Sequence, residues 1–570
     1  MDYSIRIGGE AGQGIQTIGD TLAHIFAEAG YYVFTSQDYE SRIRGGHNSF
    51  YIRISDKPKE AMKARLEILL ALDKDSITLH GPELSENGQI LYDPSLFKQT
   101  LEGPRVLSIP FLDLALKHGG SKIMMNSVAI GSIVGMLKMQ PEPMIETIQK
   151  TFGKKDTEVL EANVKCAKLG YEFALKECLK CSFSVSQVLK PNTLISGNEA
   201  IGIGACASGL KFYSGYPMTP STGIFNFIAE YARDLGIVVE QAEDEISAIN
   251  MIIGASFAGV RAMTATSGGG FCLMVEGLSL AAMTETPLVV VLAQRPGPAT
   301  GLPTRTEAAE LLFATFAGHG EFPRVIFAPG SPKQALYLTN KAFDLSEKYQ
   351  ILVLILTDQY LADSQWTYDS LDMERLKYVD YRLRGKNFRN ILSYNRHSFT
   401  ESGVSPLGVP GDAHHLIVTD SDEHDEEGHI TEDPQIRTRM VEKRLFKKIP
   451  YIKREISPPI FFGENPPDTL VVCWGSMYGV VKEVVEELKQ DLKLGMLHFS
   501  EIYPFPEEDG YLRYFEKAKK VVGVEQNALS QFEKLLGMEK GISFDARINK
   551  FDGRPFTVEE LKERLIAVAK

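Results

Sequence analysis

The feature that most constrains this chain is an alternation of short strand-like runs and helical patterns, joined by polar or glycine-bearing loops, that starts three times. Alternation of this kind favours mostly parallel sheets covered by helices. The expected fold class is therefore α/β, a three-domain chain of doubly wound, mostly parallel sheets. In the first domain, residues 1–182, strand-like stretches fall at Tyr3 to Ile7, Tyr31 to Thr35, Phe50 to Ile54, Ile68 to Leu72 and Val106 to Ile109. Helical patterns fall at Ile15 to Ala29, Ser127 to Lys138 and Asp156 to Leu175. A polar connector leads to a second alternation over 190–370, and a third, smaller one over 467–570 opens at TLVVCWGS. Residues 371–466 between them are turn-rich and charged, with no long periodic helix before Thr438 to Leu445. So long an irregular stretch is unusual inside one core and reads as a linker wrapping over a neighbour.

Composition narrows the function classes. The 570 residues carry 61 Lys and Arg against 74 Asp and Glu, a net charge of −13, which argues against broad nucleic-acid binding. The longest apolar runs fall well short of the roughly 20 residues that cross a bilayer, so no membrane span is expected. The segment MDYSIRIGGEAGQG has no cationic stretch followed by an apolar one, which predicts a cytoplasmic chain. Six cysteines are too sparse for a disulfide scaffold and fit a reducing compartment.

The motifs sit in loops. GGEAGQG, with Gly12 and Gly14, joins a strand to a helix, where backbone N–H groups and the helix dipole favour an anion. Its spacing is not that of a nicotinamide site, and phosphate binding stands even with a plain tight turn. SRIRGGHNSF adds Arg42 and Arg44, which suit either a phosphorylated cofactor, another subunit or a solvated loop. In the second domain Tyr216-Pro217-Met218-Thr219-Pro220-Ser221-Thr222 closes a strand and opens a helix with hydroxyls at its entry. QAEDEISAINMIIGASFAG sets three acids before an almost wholly apolar helix. Acids there ordinarily complement the dipole, yet Glu245 shares a face with Ala248 and Ile249, which places it at the buried edge with Glu243 and Asp244 facing out. Ser267, Gly268 and Gly269 follow one strand, and Arg295 follows another, with Arg305 ten residues on. Doubly wound sheets build sites outside such strand ends, and either arginine can fork onto a carboxylate. The His- and acid-rich stretch Asp412 to Asp433 lacks tight ligand spacing, and Cys178 with Cys181 forms a lone CxxC, so no metal is assigned to this chain.

Taken together, YPMTPST, EDEISAINMIIGASFAG, TATSGGGF, MTETPLVVVLAQRPGPATGLPTRTE and EHDEEGHI resemble the alpha subunit of 2-oxoacid:ferredoxin oxidoreductases. GGEAGQG, SRIRGGHNSF and NSVAIGS resemble that family's gamma domain, here fused in front. The resemblance implies a gamma-type domain, a thiamine-diphosphate pyrimidine-side domain and a transketolase-C-like domain, with thiamine diphosphate shared with a separate beta subunit. Glu245 then matches the glutamate that bonds N1′ of the aminopyrimidine and favours the imino tautomer, an acid/base relay. Tyr216, Pro217, Ser267, Gly268 and Gly269 fall beside the cofactor, and Thr219, Arg295 and Arg305 on the substrate. Gly12, Gly14, Arg42 and Arg44 are implied contacts of coenzyme A. No GDG motif with a downstream Asn occurs in the chain and its cysteines are not clustered, so Mg²⁺ and a [4Fe–4S] cluster belong on the beta subunit. The implied reaction is coenzyme A-dependent oxidative decarboxylation of 2-oxoglutarate to succinyl-CoA and CO₂, or its reverse, with electrons passing to ferredoxin in an (alpha–beta)₂ heterotetramer. The alternatives are pyruvate or a branched-chain 2-oxoacid as substrate, and a non-catalytic scaffold subunit.

Overall fold

A computed structural model describes residues 1–42, 45–97, 101, 103, 105–153, 157–178, 183–185, 190 and 192–569. Its strands run in chain order as β1 (Asp2–Glu10), β2 (Tyr32–Asp38), β3 (His47–Ser55), β4 (Leu66–Ala71), β5 (Leu84–Tyr92), β6 (Val106–Ser108) and β7 (Thr193–Ser196). Next come β8 (Leu210–Gly215), β9 (Val238–Gln241), β10 (Arg261–Thr266), β11 (Leu288–Gln294), β12 (Arg324–Phe327), β13 (Leu352–Asp358) and β14 (Gln365–Tyr368). The last six are β15 (Ile460–Gly463), β16 (Thr469–Trp474), β17 (Leu494–Phe499), β18 (Glu501–Tyr503), β19 (Lys520–Glu525) and β20 (Ala546–Asn549). They form three sheets, ordered β6-β5-β4-β1-β3-β2-β14-β7, β18-β12-β13-β11-β10-β8-β9 and β15-β17-β16-β19-β20.

The chain divides into two compact units, one of Met1–Ile195, Ser364–Leu371 and Phe556–Glu560, the other of the remaining residues. In the first, β1, β4, β5 and β6 are parallel, whereas β3 runs antiparallel to both β1 and β2, and β14 antiparallel to β2. The helix Met125–Met136 is apolar on every side and accordingly buried along nearly its whole length. It packs closely on the helix Thr157–Glu177: a Cβ on Gly131 would lie 1.8 Å from the Ala167 carbonyl oxygen. Cys178 at that helix's end is disulfide-bonded, and Cys181 lies outside the described residues.

The second unit is built on β8, β10, β11, β13 and β12, all parallel. β10, β11 and β13 are buried at every position, as strands covered on both faces are, and β11 and β13 are correspondingly almost wholly apolar. β18 adds an antiparallel edge to this sheet, so the C-terminal block contributes to two sheets at once.

Residues 371–466 are tied down by buried ion pairs. Glu347 accepts from Arg261 at 2.9 Å and Arg382 at 2.6 Å. Glu285 meets His397 at 3.0 Å, Lys448 at 2.6 Å and Lys443. The only extended helical run in this stretch among the described residues is Pro434–Val441, a π-helical segment Glu442–Lys447, and Lys448–Glu455. No described helix is long and apolar enough to cross a membrane.

Candidate active site

Because β8, β10 and β11 are parallel, their carboxyl ends open on the same side of the sheet. The loop after β8 exposes Tyr216 and Pro217 and leaves Met218 and Thr219 half-buried. Arg295, just past β11, donates from Nη1 to the Thr219 carbonyl at 2.8 Å and is only 9% exposed. Burial lowers its pKa, and Glu310 opposes that shift. Ser221 occupies the N-cap position of the helix Thr222–Leu235 without capping it. Its hydroxyl instead donates back to the Met218 carbonyl at 2.6 Å, closing the turn on itself.

Glu245 is the first residue of the helix Glu245–Phe257, and Asp244 caps that helix by accepting from the Ser247 N–H at 2.7 Å. Glu243 is exposed, while Glu245 is 3% exposed, and its Oε1 has no hydrogen-bond partner among the described residues. The helix Gly268–Met283 begins directly above it: a Cβ on Gly270 would lie 2.4 Å from Glu245 Oε1 and 2.1 Å from Thr266 Oγ1. Only glycine lets the carboxylate and the helix start share this space. Ser267, at the N-cap of the same helix, is fully buried, and its Oγ also lacks a partner among the described residues. A buried acceptor and a buried hydroxyl left unpaired are each costly, and both stand at one helix N-terminus.

Glu310 reaches the same turn from the other side, with Oε1 2.6 Å from where a Cβ on Gly268 would lie. Its backbone N–H donates to Gln294 Oε1 at 3.0 Å, the residue before Arg295. Burial, reinforced by Glu307 and opposed by Arg295, pushes the Glu310 carboxyl up to about 8. The strap carrying it is held from the loop after β19. The Ala308 N–H donates to the Gln526 carbonyl at 2.8 Å, and Asn527 Nδ2 donates to the Ala308 carbonyl at 3.1 Å. Gln531 donates to the Ala309 carbonyl at 2.6 Å and accepts from the Leu312 N–H at 2.9 Å. Arg305, half-buried, packs its Cβ where a side chain on Gly553 would lie, 3.2 Å away. Sequence reasoning singled out none of Glu310, Gln526, Asn527 and Gln531. An acid opening an apolar helix and a polar loop carry no local signal of what they face.

The first unit holds a separate cavity of about 720 Å³ lined by Gly12, Gly14, Thr17, Asn48, Lys122 and Asn126 among others. Gly12 and Gly14 have φ of 93° and 82° at the start of the helix Ile15–Glu28. A Cβ on Gly14 would lie 2.1 Å from Asn126 Nδ2, so here too glycine admits a neighbouring side chain. Lys122, not Arg42, is the cation among its lining residues: Arg42 is largely exposed and pairs with Glu40 at 3.1 Å. Arg44 lies outside the described residues. No cluster of three or more His, Cys, Asp or Glu suited to a metal ion occurs among the described residues.

Family models cover the chain almost end to end. "Pyruvate ferredoxin/flavodoxin oxidoreductase" matches residues 4–173. "Pyruvate flavodoxin/ferredoxin oxidoreductase, thiamine diP-bdg" matches 203–443, and "Pyruvate:ferredoxin oxidoreductase core domain II" matches 467–561. A 2-oxoacid:ferredoxin oxidoreductase subunit alpha from Sulfolobus sp is 34% identical over 100% of this chain and 97% of that protein. This chain belongs to the 2-oxoacid:ferredoxin oxidoreductase alpha subunits. It is thus a subunit of an oxidoreductase acting on 2-oxoacids, and its thiamine-diphosphate-binding match spans Thr219, Glu245, Ser267, Arg295 and Glu310. The alpha subunit is also 36% identical to 2-oxoglutarate synthase subunit KorA of Archaeoglobus fulgidus, over 59% of this chain and 88% of that one. The structure of 2-oxoglutarate:ferredoxin oxidoreductase from Magnetococcus marinus, with 2-oxoglutarate, coenzyme A and succinyl-CoA bound, superposes with a TM-score of 0.90 at 30% identity, covering 100% of both chains.

Proposed function

We propose that this alpha subunit joins a beta subunit in a cytoplasmic (alpha–beta)₂ complex that converts 2-oxoglutarate and coenzyme A to succinyl-CoA and CO₂, or runs the reverse. Electrons would leave through an iron–sulfur cluster on the beta subunit to ferredoxin, and Mg²⁺ would be held there too. The observation that carries this reading is the orphan Oε1 of Glu245, sealed beneath Gly270. A carboxylate so buried needs a partner from outside the chain, and a cationic or N–H-bearing ring nitrogen meets that need.

Thiamine diphosphate, when bound, supplies the nucleophilic carbon and the electron sink that loss of CO₂ requires. Glu245 would hold a proton between its Oε1 and the pyrimidine ring nitrogen. Ser267 offers an unpaired hydroxyl, and Gly268 and Gly269 allow close backbone approach beside it. Tyr216 and Pro217 form the outer edge of that corner. Arg295, fixed by its bond to the Thr219 carbonyl, presents its remaining N–H groups to a substrate carboxylate, with Thr219 beside it and Arg305 as a second cation. In the first unit, Gly12, Gly14 and Lys122 would take phosphates of coenzyme A, with Arg42 and Arg44 as further candidates. The substrate assignment is supported by the 2-oxoglutarate named for the Archaeoglobus and Magnetococcus relatives.

The test is a co-expressed alpha–beta complex assayed on a panel of 2-oxoacids. Glu245→Gln is expected to assemble but to lose at least about 100-fold in rate, the usual scale for a lost acid/base group. Full activity in that variant removes the catalytic assignment, and a strong preference for pyruvate removes the 2-oxoglutarate one.

A further inference from the structure

Two carboxyl groups flank the first turn of the helix Gly268–Met283, that of Glu245 buried and that of Glu310 half-buried with its Oε2 shielded from solvent. Glu245 lies against Gly270 and Glu310 against Gly268, and each has one oxygen without a partner among the described residues. The proposed function employs Glu245 and leaves Glu310 unexplained. Glu310 is held firmly: Gln294 takes its N–H, and Gln526, Asn527 and Gln531 grip the residues on either side. The groups facing it are Arg295 after β11, Glu307 on its own strap with Asp552 beyond, and the neutral thiol of Cys272 on the helix. Arg295 does not bond it; its assigned hydrogen bond goes to Thr219.

We infer that Glu310 is a further substrate-binding residue, a proton-bearing carboxyl that donates from Oε2 to the 2-oxoacid carboxylate received by Arg295. The inference rests on the substrate reading above. A carboxylic acid has one strong donor, and a carboxylate is its best acceptor. An ionised Glu310 would instead set two negative charges side by side in a dry corner. Burial holds the proton on at neutral pH, consistent with this role.

The experiment uses the alpha–beta holoenzyme and 2-hydroxyglutarate, which keeps both carboxylates and has no oxo group to react. Titration calorimetry between about pH 7 and about pH 9 should show wild-type affinity falling about tenfold, as a group near 8 loses its proton. At the alkaline end, repeating the titration in buffers of different ionisation enthalpy should show about one proton taken up per molecule bound. Glu310→Gln, a neutral donor at every pH, should bind within about twofold of the neutral-pH wild type, stay flat with pH and take up no proton. Glu310→Ala should bind about tenfold more weakly and be equally flat. A Gln variant that keeps the wild-type pH dependence, or an Ala variant that binds as wild type does, overturns the assignment of Glu310 alone. A wild-type complex that turns over another 2-oxoacid but neither turns over 2-oxoglutarate nor binds 2-hydroxyglutarate overturns it together with the substrate reading.

Discussion

Glu285, fully buried, and Glu310, half-buried, are carboxyls driven in opposite directions by what surrounds them. Burial raises both, but at Glu285 the ammonium groups of Lys443 and Lys448 and the hydrogen bond from His397 outweigh it and hold the group well below the carboxylate range. Glu310 has like charge in Glu307 and only a partial offset from Arg295, which does not bond it, so burial wins. The sign for Glu310 follows from linkage. Its folded pKa, about 8, lies above its ordinary value of 4.5, so between those values the folded chain keeps a proton that the unfolded chain has released. Stability is therefore lost as pH rises from about 4.5, and the loss is complete above about 8. Glu310→Gln carries no charge to suppress: it should match wild type near pH 5 and exceed it by about 2 kcal/mol at neutral pH, allowing for incomplete burial. Urea titrations of the purified subunit across that range check this, and a difference constant with pH would sink it. None of this was legible in the sequence. Glu245 could be read because three acids before an apolar helix are conspicuous, whereas Glu310 in AAELLFATF looks like an ordinary helix-opening acid.

The π-helical segment explains how Glu285 acquires two lysines. In an α-helix, neighbours on one face are three or four residues apart. Lys443 and Lys448 are five apart, and i→i+5 bonding over Glu442–Lys447 widens the turn until both point at the same carboxylate. Lys448→Met, which keeps the apolar stem and removes the ammonium group that the π turn brings to Glu285, breaks one of the two pairs. The expected cost is about 3 kcal/mol, the scale for breaking a buried ion pair, read from the shift in urea midpoint; a change within about 0.5 kcal/mol would show that the pair the π turn makes possible does not stabilise the fold. Strands were the more readable elements. β11 and β13 announce themselves as unbroken apolar runs. β5, LSENGQILY, mixes polar and apolar positions and was missed, and the three residues of β18 carry no trace of the distant strand they pair with. Local pattern reports an element's own burial, while pairing over long sequence separations depends on residues elsewhere in the chain.

For the whole molecule, the most informative mismatch is between sequence and burial in the helices Glu245–Phe257 and Gly268–Met283. Both are apolar on nearly every side, a composition expected only of helices buried all round. Yet Ile246, Met251 and Leu273 are exposed, and Phe316 of the short helix Leu311–Phe316 is 61% exposed. Gly254 has nothing within 4 Å of where its Cβ would be, so another backbone can approach closely there. Exposed apolar surface of this kind marks an interface, and it borders Glu245, whose free oxygen needs a partner from outside the chain. The two needs are met together if the beta subunit closes over these helices and brings the cofactor with it. The double variant Ile246→Asp with Leu273→Asp should therefore leave the isolated subunit as stable as wild type but abolish co-purification with the beta subunit. Leu392→Asp, at a fully exposed leucine of the turn-rich segment, serves as the control and should assemble normally. If the double variant still forms the complex, the beta subunit binds elsewhere, and the all-apolar helices call for another partner.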